Sequence, residues 1–565
     1  MKLCCTIVLM LITTLANASD AAVATNVSVD FGAKGRAVSP LIFGVSFGEP
    51  AQDAAIGYTV VRWGGNSTTR YNWQANFYNT ASDYYYENIA NCNAAYCPPG
   101  LPKSDLFVGS VLDAGAQPLV TIPTIGWMPR GDSPVNHPFF TGFSTLKYGA
   151  QTSTDPFDVH AGNGLCNIAG GFCDGSQIVG NDPSDTSVAN LPADASAWIA
   201  HLQTTFGAAA GGGVKFYSLD NEIMLWNSTH RDVHPSPLTF AGAWTETHDY
   251  ATAIKQQEPD ALVTGPVTWG YCDLFGSAAD NCVLGADRSA HGDLPFVAWY
   301  LQQVCANPLP GGKHLVDYLD LHYYPEGANI RFSNSDDAAT AGLRLRALKE
   351  LYDPNWVSES WIADLGDDDA NHYSKPNLIP RARAWIDQYC PGTKLAITEY
   401  NWGGDDSSSG AVAQAELLAI FAREGVDLGT RWVAPAADSK TENAFSLFLD
   451  YDGAGGSVAG NSVAATSANR DQVGAYAFRL VGQRNMLLLT NKDTSATHSV
   501  ALTFAQPQSG AWKLYGFDPA HALHLVTSGT IATATTALTL DNLPALSASL
   551  LVLPDNDVLF ADGFE

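Results

Sequence analysis

The chain has 565 residues and a formal net charge of −28 at pH 7, with 29 Lys and Arg against 57 Asp and Glu. So little basic surface disfavours nucleic acid or any other polyanion as a partner, because there is little to neutralise phosphates. A neutral polymer meets no such penalty; 14 Trp and 22 Tyr suit sugars, whose apolar faces stack on aromatic rings.

In chain order, Lys2, an apolar run over residues 3–15 and Ala16-Asn17-Ala18 read as a secretory signal over residues 1–18, its apolar run too short to span a bilayer. Secretion, to the medium or the periplasm, is the expectation. No later stretch is apolar for long enough to cross a membrane. Removing the signal leaves eight cysteines, an even count that favours disulfides in a secreted protein. Close spacing suggests Cys92–Cys97, Cys166–Cys173 and Cys272–Cys282, with Cys305–Cys390 as the long closure, although eight cysteines allow many other pairings.

Residues 19–39 hold one alternating piece, 23–31, expected to join a β-sandwich built mainly from later residues. Between residues 40 and 440 eight apolar runs read as strands: 42–47, 59–63, 118–122, 214–219, 261–267, 318–323, 395–398 and 429–433. Helical patterns fall between several of them, as at 195–206, 339–351 and 410–423. Such alternation predicts an α/β fold, a (β/α)8 TIM-like barrel. Residues 127–195, rich in Gly, Asp, Ser and Pro, read as a long insertion forming a wall or lid. Beyond 440 short alternating runs at 444–449, 472–478, 485–491, 499–504, 511–515 and 548–553 predict an all-β sandwich domain over 441–554. The Ala/Thr-rich piece 530–539 comes nearest to a linker, and 555–565 is an acidic tail.

Two strand candidates end in a glutamate: 214–219 leads into Asp220-Asn221-Glu222, and 395–398 into Glu399. A (β/α)8 barrel keeps its reactive groups where strands end. Glycoside hydrolysis needs one protonated carboxyl for the leaving oxygen and one carboxylate to attack or to activate water. Glu222 is the candidate acid/base and Glu399 the candidate nucleophile, with Asn221 placed for the sugar 2-hydroxyl. Arg62 is placed to orient Glu399, and His322 and Tyr324 to meet the nucleophile or the sugar. Trp63, Trp73, Trp127, Trp226, Trp402 and Trp432 follow strand ends and divide between sugar platforms and core. No cofactor is needed for catalysis. Structural calcium is read at Glu87, Asp182 and Asp185, with further candidates at Asp367-Asp368-Asp369 and Asp450/Asp452, because clustered oxygen ligands suit that ion.

The run Arg62-Trp63-Gly64-Gly65-Asn66-Ser67-Thr68-Thr69-Arg70-Tyr71-Asn72-Trp73 resembles the second-strand signature of glycoside hydrolase family 44. So do Ser218-Leu219-Asp220-Asn221-Glu222 with Leu225-Trp226, Asp317-Tyr318-Leu319-Asp320-Leu321-His322-Tyr323-Tyr324-Pro325-Glu326, and Ile397-Thr398-Glu399-Tyr400-Asn401-Trp402-Gly403. The resemblance implies a retaining endo-β-1,4-glucanase or xyloglucanase. Glu222 matches the family's acid/base, Glu399 its nucleophile, and Asn66 lies in the signature expected to bind substrate. Ile223 departs from the family's usual Pro, at a position that sets backbone shape. The expected partner is a β-glucan polysaccharide, and the expected state a monomer. Two rivals stay open here: an exo-acting α-L-arabinofuranosidase or β-xylosidase on the same fold, and a non-catalytic carbohydrate-binding protein.

Overall fold

The structure is a computed structural model and describes residues 22–91, 101–131, 140–166, 175–280, 282, 284–367 and 371–555. The signal segment, Cys92, Cys97, Cys173, Asp368, Asp369 and residues 556–565 of the tail lie outside the described residues. No described helix is long and apolar enough to cross a membrane.

Eight parallel strands close into a barrel: β1 (Gly44–Ser46), β2 (Val60–Trp63), β3 (Gln117–Ile122), β4 (Phe216–Leu219), β5 (Leu262–Thr268), β6 (Tyr318–His322), β7 (Lys394–Glu399) and β8 (Leu428–Arg431). Each pairs with its neighbour in sequence, and Arg431 beside Val45 closes β8 onto β1. The runs are continuously apolar at one end because both faces are buried. Val60, Leu119, Phe216, Tyr318, Ala396 and Leu428 pack together as an apolar floor inside the barrel, while Val61, Val120, Tyr217 and Leu319 face the helices.

Two residues further along each strand, the same inward face turns polar. Arg62, Thr121, Ser218, Thr264, Asp320, Thr398 and Thr430 are all fully buried and form a shelf above the floor, as the period of two requires. The strand ends above this shelf carry the candidate site. Cys272–Cys282 and Cys305–Cys390 are disulfides of the described barrel, the first the pair that close spacing suggested and the second the expected long closure.

The β domain is one mostly antiparallel sheet folded over on itself. Val23–Asp30 runs antiparallel to Asn461–Ser467 and parallel to the first half of the strand His498–Phe517. The second half of that strand pairs instead with Ser547–Pro554, so the strand passes from one layer to the other. Val27, Val29, Leu487, Leu489, Val500, Leu502, Leu514 and Leu551 fill the space between the layers. The segments 499–504 and 511–515 are therefore halves of one strand, and 530–539 lies within another, His524–Leu543.

The boundary near 440 also shifts. Residues 444–449, read as a strand, belong to a helix, Lys440–Leu449, capped by the Ser439 side chain on the amide of Glu442. Its buried residues Thr441, Ala444, Phe445, Leu447 and Phe448 recur at the three- and four-residue intervals of a helix. Phe445 and Phe448 pack on Tyr58 and Phe43 of the barrel, so this helix closes the barrel rather than opening the sandwich. The two domains meet at Glu416, on the barrel helix Ser408–Glu424. Its buried carboxylate accepts from Lys492 Nζ, Tyr476 OH and Thr490 Oγ1, each at 2.8 Å, all on the β-domain side.

Candidate active site

Glu222 follows the end of β4 and Glu399 ends β7. One oxygen of each, with a ring nitrogen of His322, lie within 4.8 Å of one another. Both carboxyls remain reachable: 16 % of the Glu222 side chain and 7 % of that of Glu399 are exposed.

The two glutamates have opposite surroundings. Glu399 accepts from Arg62 Nη1 at 2.7 Å and from Tyr324 OH at 2.8 Å, so each of its oxygens meets a strong donor and its charge is matched by a buried guanidinium. Among the described residues Glu222 has no guanidinium or phenol donor; a ring nitrogen of His322 lies 3.0 Å from its Oε1. Burial, then the charges of Glu399 and Asp273, push its carboxyl well above the ordinary range, with Arg62 opposing and Asp83 adding to the rise. One carboxylate and one held proton is the division that general acid and nucleophile need. Burial and the adjoining Glu399 likewise drive the Tyr324 phenol far up, so it stays a donor.

The backbone at β4 is set for this. Asp220 and Glu222 have φ of 62° and 48°, a left-handed conformation uncommon outside glycine. It persists because the surroundings over-determine it: the Asp220 carboxylate accepts from Thr124 Oγ1, from the amide of Ile125 at 3.2 Å and from that of Asn221 at 2.8 Å. Burial raises Asp220 to about 6 against those bonds. Between the two, Asn221 Oδ1 accepts from Arg62 Nη2 at 2.7 Å and from the Gly65 amide at 3.2 Å. That fixes the amide, so its NH2 faces Asn66. Asn66 in turn donates to Asp83.

Of the strand-end tryptophans, Trp63, Trp226 and Trp402 are buried core residues. Trp63 packs on Tyr71 and Phe107 and Trp402 stacks on Tyr323, so a sugar-binding role for these three is corrected: their rings have no free face. Trp73 is half-buried and stacked on His201. Trp127 is half-buried in a small ribbon, Trp127–Pro129 against Ser187–Ala189, that closes the long insertion. Trp432 does reach the mouth, edge-on to Phe47. It lines a cavity of about 360 Å³ with Phe332, Asn334 and Asn401. A second cavity, about 610 Å³, lies between Asp83, Tyr84, Tyr85, Gln177 and Arg231. A third, about 300 Å³, lies beside Met224, Trp269 and Asp273. Asp83, Asp273, Asp320 and Thr398 were not picked from the sequence. The period of two along Tyr318–His322 could have found Asp320, which shares an inward face with His322.

Calcium at Asp182 and Asp185 does not fit. Lys147 Nζ lies 2.5 and 2.6 Å from the two Asp185 oxygens and Tyr148 OH donates to one of them, so a cation already sits there. Asp182 caps Ser184. Asp450 and Asp452 accept from amides of their own turn, as Asp367 does from Ser374. Glu87 differs. Among the described residues its Oε1 is buried without a hydrogen-bond partner, and burial, then the charge of and a hydrogen bond with Asp155, raise its carboxyl to about 8. Two carboxyls facing each other with an orphaned oxygen suit an oxygen-seeking cation.

Comparison with known proteins follows the same lines. A family model described as glycoside hydrolase family 44 matches residues 77–327. Endoglucanase A of Paenibacillus lautus is 28 % identical over 504 residues, 85 % of this chain, and the chain spans 64 % of that relative's length. The fold matches the crystal structure of CelM2, a bifunctional glucanase-xylanase protein from a metagenome library, at 34 % identity and TM-score 0.84, covering 94 % of this chain and 99 % of that one. It also matches a Paenibacillus polymyxa xyloglucanase from glycoside hydrolase family 44 at 25 % identity and TM-score 0.76, covering 94 % and 100 %.

Proposed function

The chain belongs to glycoside hydrolase family 44, and we propose that it is a secreted, monomeric, retaining endo-β-1,4-glucanase or xyloglucanase. The observation that carries the reading is the pair Glu222 and Glu399, oxygens within 4.8 Å, one starved of donors and the other supplied by Arg62 and Tyr324. Retaining enzymes hold their carboxyl groups about 5–5.5 Å apart and inverting ones about 6.5–9.5 Å, to admit a water.

In the first step protonated Glu222 gives its proton to the glycosidic oxygen while Glu399 attacks the anomeric carbon from the opposite face. The bond to the leaving chain breaks, and its oxygen leaves as a hydroxyl. Arg62, relieved of one negative charge as the ester forms, still holds Asn221, whose NH2 is aimed at the sugar 2-hydroxyl, where hydrogen bonds strengthen in the transition state. In the second step the Glu222 carboxylate takes a proton from water, whose oxygen displaces Glu399 from the anomeric carbon. Two inversions give retention.

Two separate cavities, one walled by Tyr84 and Tyr85 and the other by Phe332 and Trp432, favour a through-running groove and internal attack over an exo pocket. A non-catalytic binder would need neither glutamate. Glu87 with Asp155 is proposed to hold a structural calcium. A chelator should lower the melting temperature of the wild type and leave Glu87→Gln unmoved. The function is tested by assaying new reducing ends on xyloglucan, carboxymethyl cellulose, glucomannan and xylan, together with viscosity. A rapid viscosity fall on a β-1,4-glucan is expected; monosaccharide as the only early product, or turnover confined to aryl-arabinosides, overturns the reading.

A further inference from the structure

We propose that Asp320, acting through Thr398, fixes the tautomer of His322 so that its Nδ1 is a proton acceptor facing Glu222, which makes Asp320 and Thr398 positioning residues for the acid. The inference rests on the reading of Glu222 as acid/base.

The argument is a count of hydrogens. Asp320 projects from β6 into the polar shelf and is fully buried. Its Oδ2 lies 2.6 Å from Thr264 Oγ1 and its Oδ1 2.7 Å from Thr398 Oγ1. A carboxylate only accepts, so both hydroxyl hydrogens point to Asp320. Thr398 has one hydrogen and has spent it. Its oxygen, 3.2 Å from His322 Nε2, is left to accept, so His322 carries its proton on Nε2.

Burial and the charge of Arg62 keep the ring neutral by lowering its basicity well below the ordinary value. Nδ1 then presents a lone pair 3.0 Å from Glu222 Oε1 and 3.6 Å from Glu399 Oε2. Glu399 cannot supply a proton there, since Tyr324 and Arg62 are donating to it. The contact is favourable only if Glu222 is protonated, and a hydrogen bond made by the neutral form raises a carboxyl's affinity for its proton. Around Glu222 the other charged groups are Glu399 on β7, Asp273 after β5, and Arg62 and Asp83 on and after β2, with the Tyr324 phenol after β6. His322 is the neighbour whose sign depends on a tautomer. After the proton has left, the Glu222 carboxylate faces the same lone pair, which favours its taking a proton back from water.

The test is made at pH 7, above the value of about 6 to which burial raises Asp320. Nitrogen-15 NMR of histidine-labelled, full-length protein, with His322 assigned by its loss in His322→Asn, reads the tautomer without substrate. The expected state is neutral, protonated on Nε2, changing in Thr398→Val and unchanged in Thr398→Ser. A proton on Nδ1 in the wild type, or no change in folded Thr398→Val, overturns the proposal. Because this readout needs no turnover, it stands apart from failure of the proposed function. The kinetic arm follows kcat/KM against pH, whose alkaline limb reports the acid in the free enzyme. Thr398→Val and Asp320→Asn should move that limb to lower pH by about half a unit or more, with Thr398→Ser at the wild-type position. A limb that stays in place in both variants overturns it as well.

Discussion

Arg62 Nη2 donates to Asn221 Oδ1 at 2.7 Å, joining the end of β2 to the turn after β4 across the barrel mouth. The same guanidinium donates to Glu399 through Nη1, also at 2.7 Å. One rigid planar group therefore sets the spacing between Asn221, beside the proposed acid Glu222, and the proposed nucleophile Glu399.

Lysine offers a point charge on a flexible stem and cannot reproduce that fork. Arg62→Lys should keep an ion pair to Glu399 but release Asn221. The expected loss is about 10²-fold in kcat/KM, roughly 2.7 kcal/mol of transition-state stabilisation. Initial rates on a soluble glucan check it; rates within a few-fold of wild type would refute the positioning role.

On the proposed mechanism, replacing either glutamate removes one half of the chemistry. Glu222→Gln and Glu399→Gln should each lose at least ~10³-fold in rate, roughly 4 kcal/mol, while keeping wild-type circular dichroism. Azide should rescue Glu399→Ala and give a glycosyl azide of inverted configuration, because the small anion takes the vacated face. A folded variant with near-native turnover would remove that residue from the mechanism.

The proposed retention has a direct readout. Proton NMR early in hydrolysis, before mutarotation, should show the new reducing end in the β-configuration. An initial α-anomer would rule out direct attack by Glu399.

At the domain joint, Glu416 and Lys492 are both buried and paired at 2.8 Å. Truncating one partner strands the other's charge, at a cost of about 3–5 kcal/mol. Glu416→Leu and Lys492→Met should each lower the chemical denaturation midpoint, and the double variant should recover part of the loss. Glu416 sits on the helix Ser408–Glu424 and shares no hydrogen bond with Glu222 or Glu399, so kcat below the melting range should hold. A double variant no better than the sum of the singles would mean that the pair is not coupled.

Several buried carboxyls make stability fall as pH rises. Burial raises Asp53, Asp273 and Glu350 to about 7, and the unfolded chain has about 4. The folded state thus binds these protons more tightly. Their contribution is complete below about pH 4 and is lost as pH climbs towards 7. Asp155 and Asp336 are shifted the other way by the hydroxyls and amides that bond them, against burial, and lose their contribution as pH drops below about 4. The melting temperature should therefore peak near pH 4–5 and decline towards 8. A steady rise over that span would contradict the assignment.

Much of the barrel was legible because each strand is an unbroken apolar run ending in polar residues, a form that burial on both faces imposes. Glu222 and Glu399 were readable for the same reason: they stand where such runs stop. What failed was anything that depended on direction or distance. A tryptophan after a strand does not announce whether it turns to the cleft, like Trp432, or outward into the helices, like Trp63. The ion pair of Lys147 with Asp185 spans 38 positions, so the acidic cluster there looked like a cation site when it already held a cation. Residues 444–449 alternate on paper, but with Thr441 included the buried positions Thr441, Ala444, Phe445, Leu447 and Phe448 recur three and four apart along one helix.

Thr25 hydrogen-bonds His498, 473 positions later, and the strand around it finds both its neighbours in segments made after the barrel. During synthesis this first strand must wait, its valines uncovered, while the entire barrel is assembled. The barrel is thus an insertion between the opening strand of the β domain and the remainder of it. Cutting the chain after the last barrel helix would not free a self-sufficient hydrolase. It would leave Val27 and Val29 without their layer and Glu416 without Lys492, Tyr476 and Thr490. Engineering that wants a smaller catalyst has to remove both ends together and recolour the exposed face of the helix Ser408–Glu424.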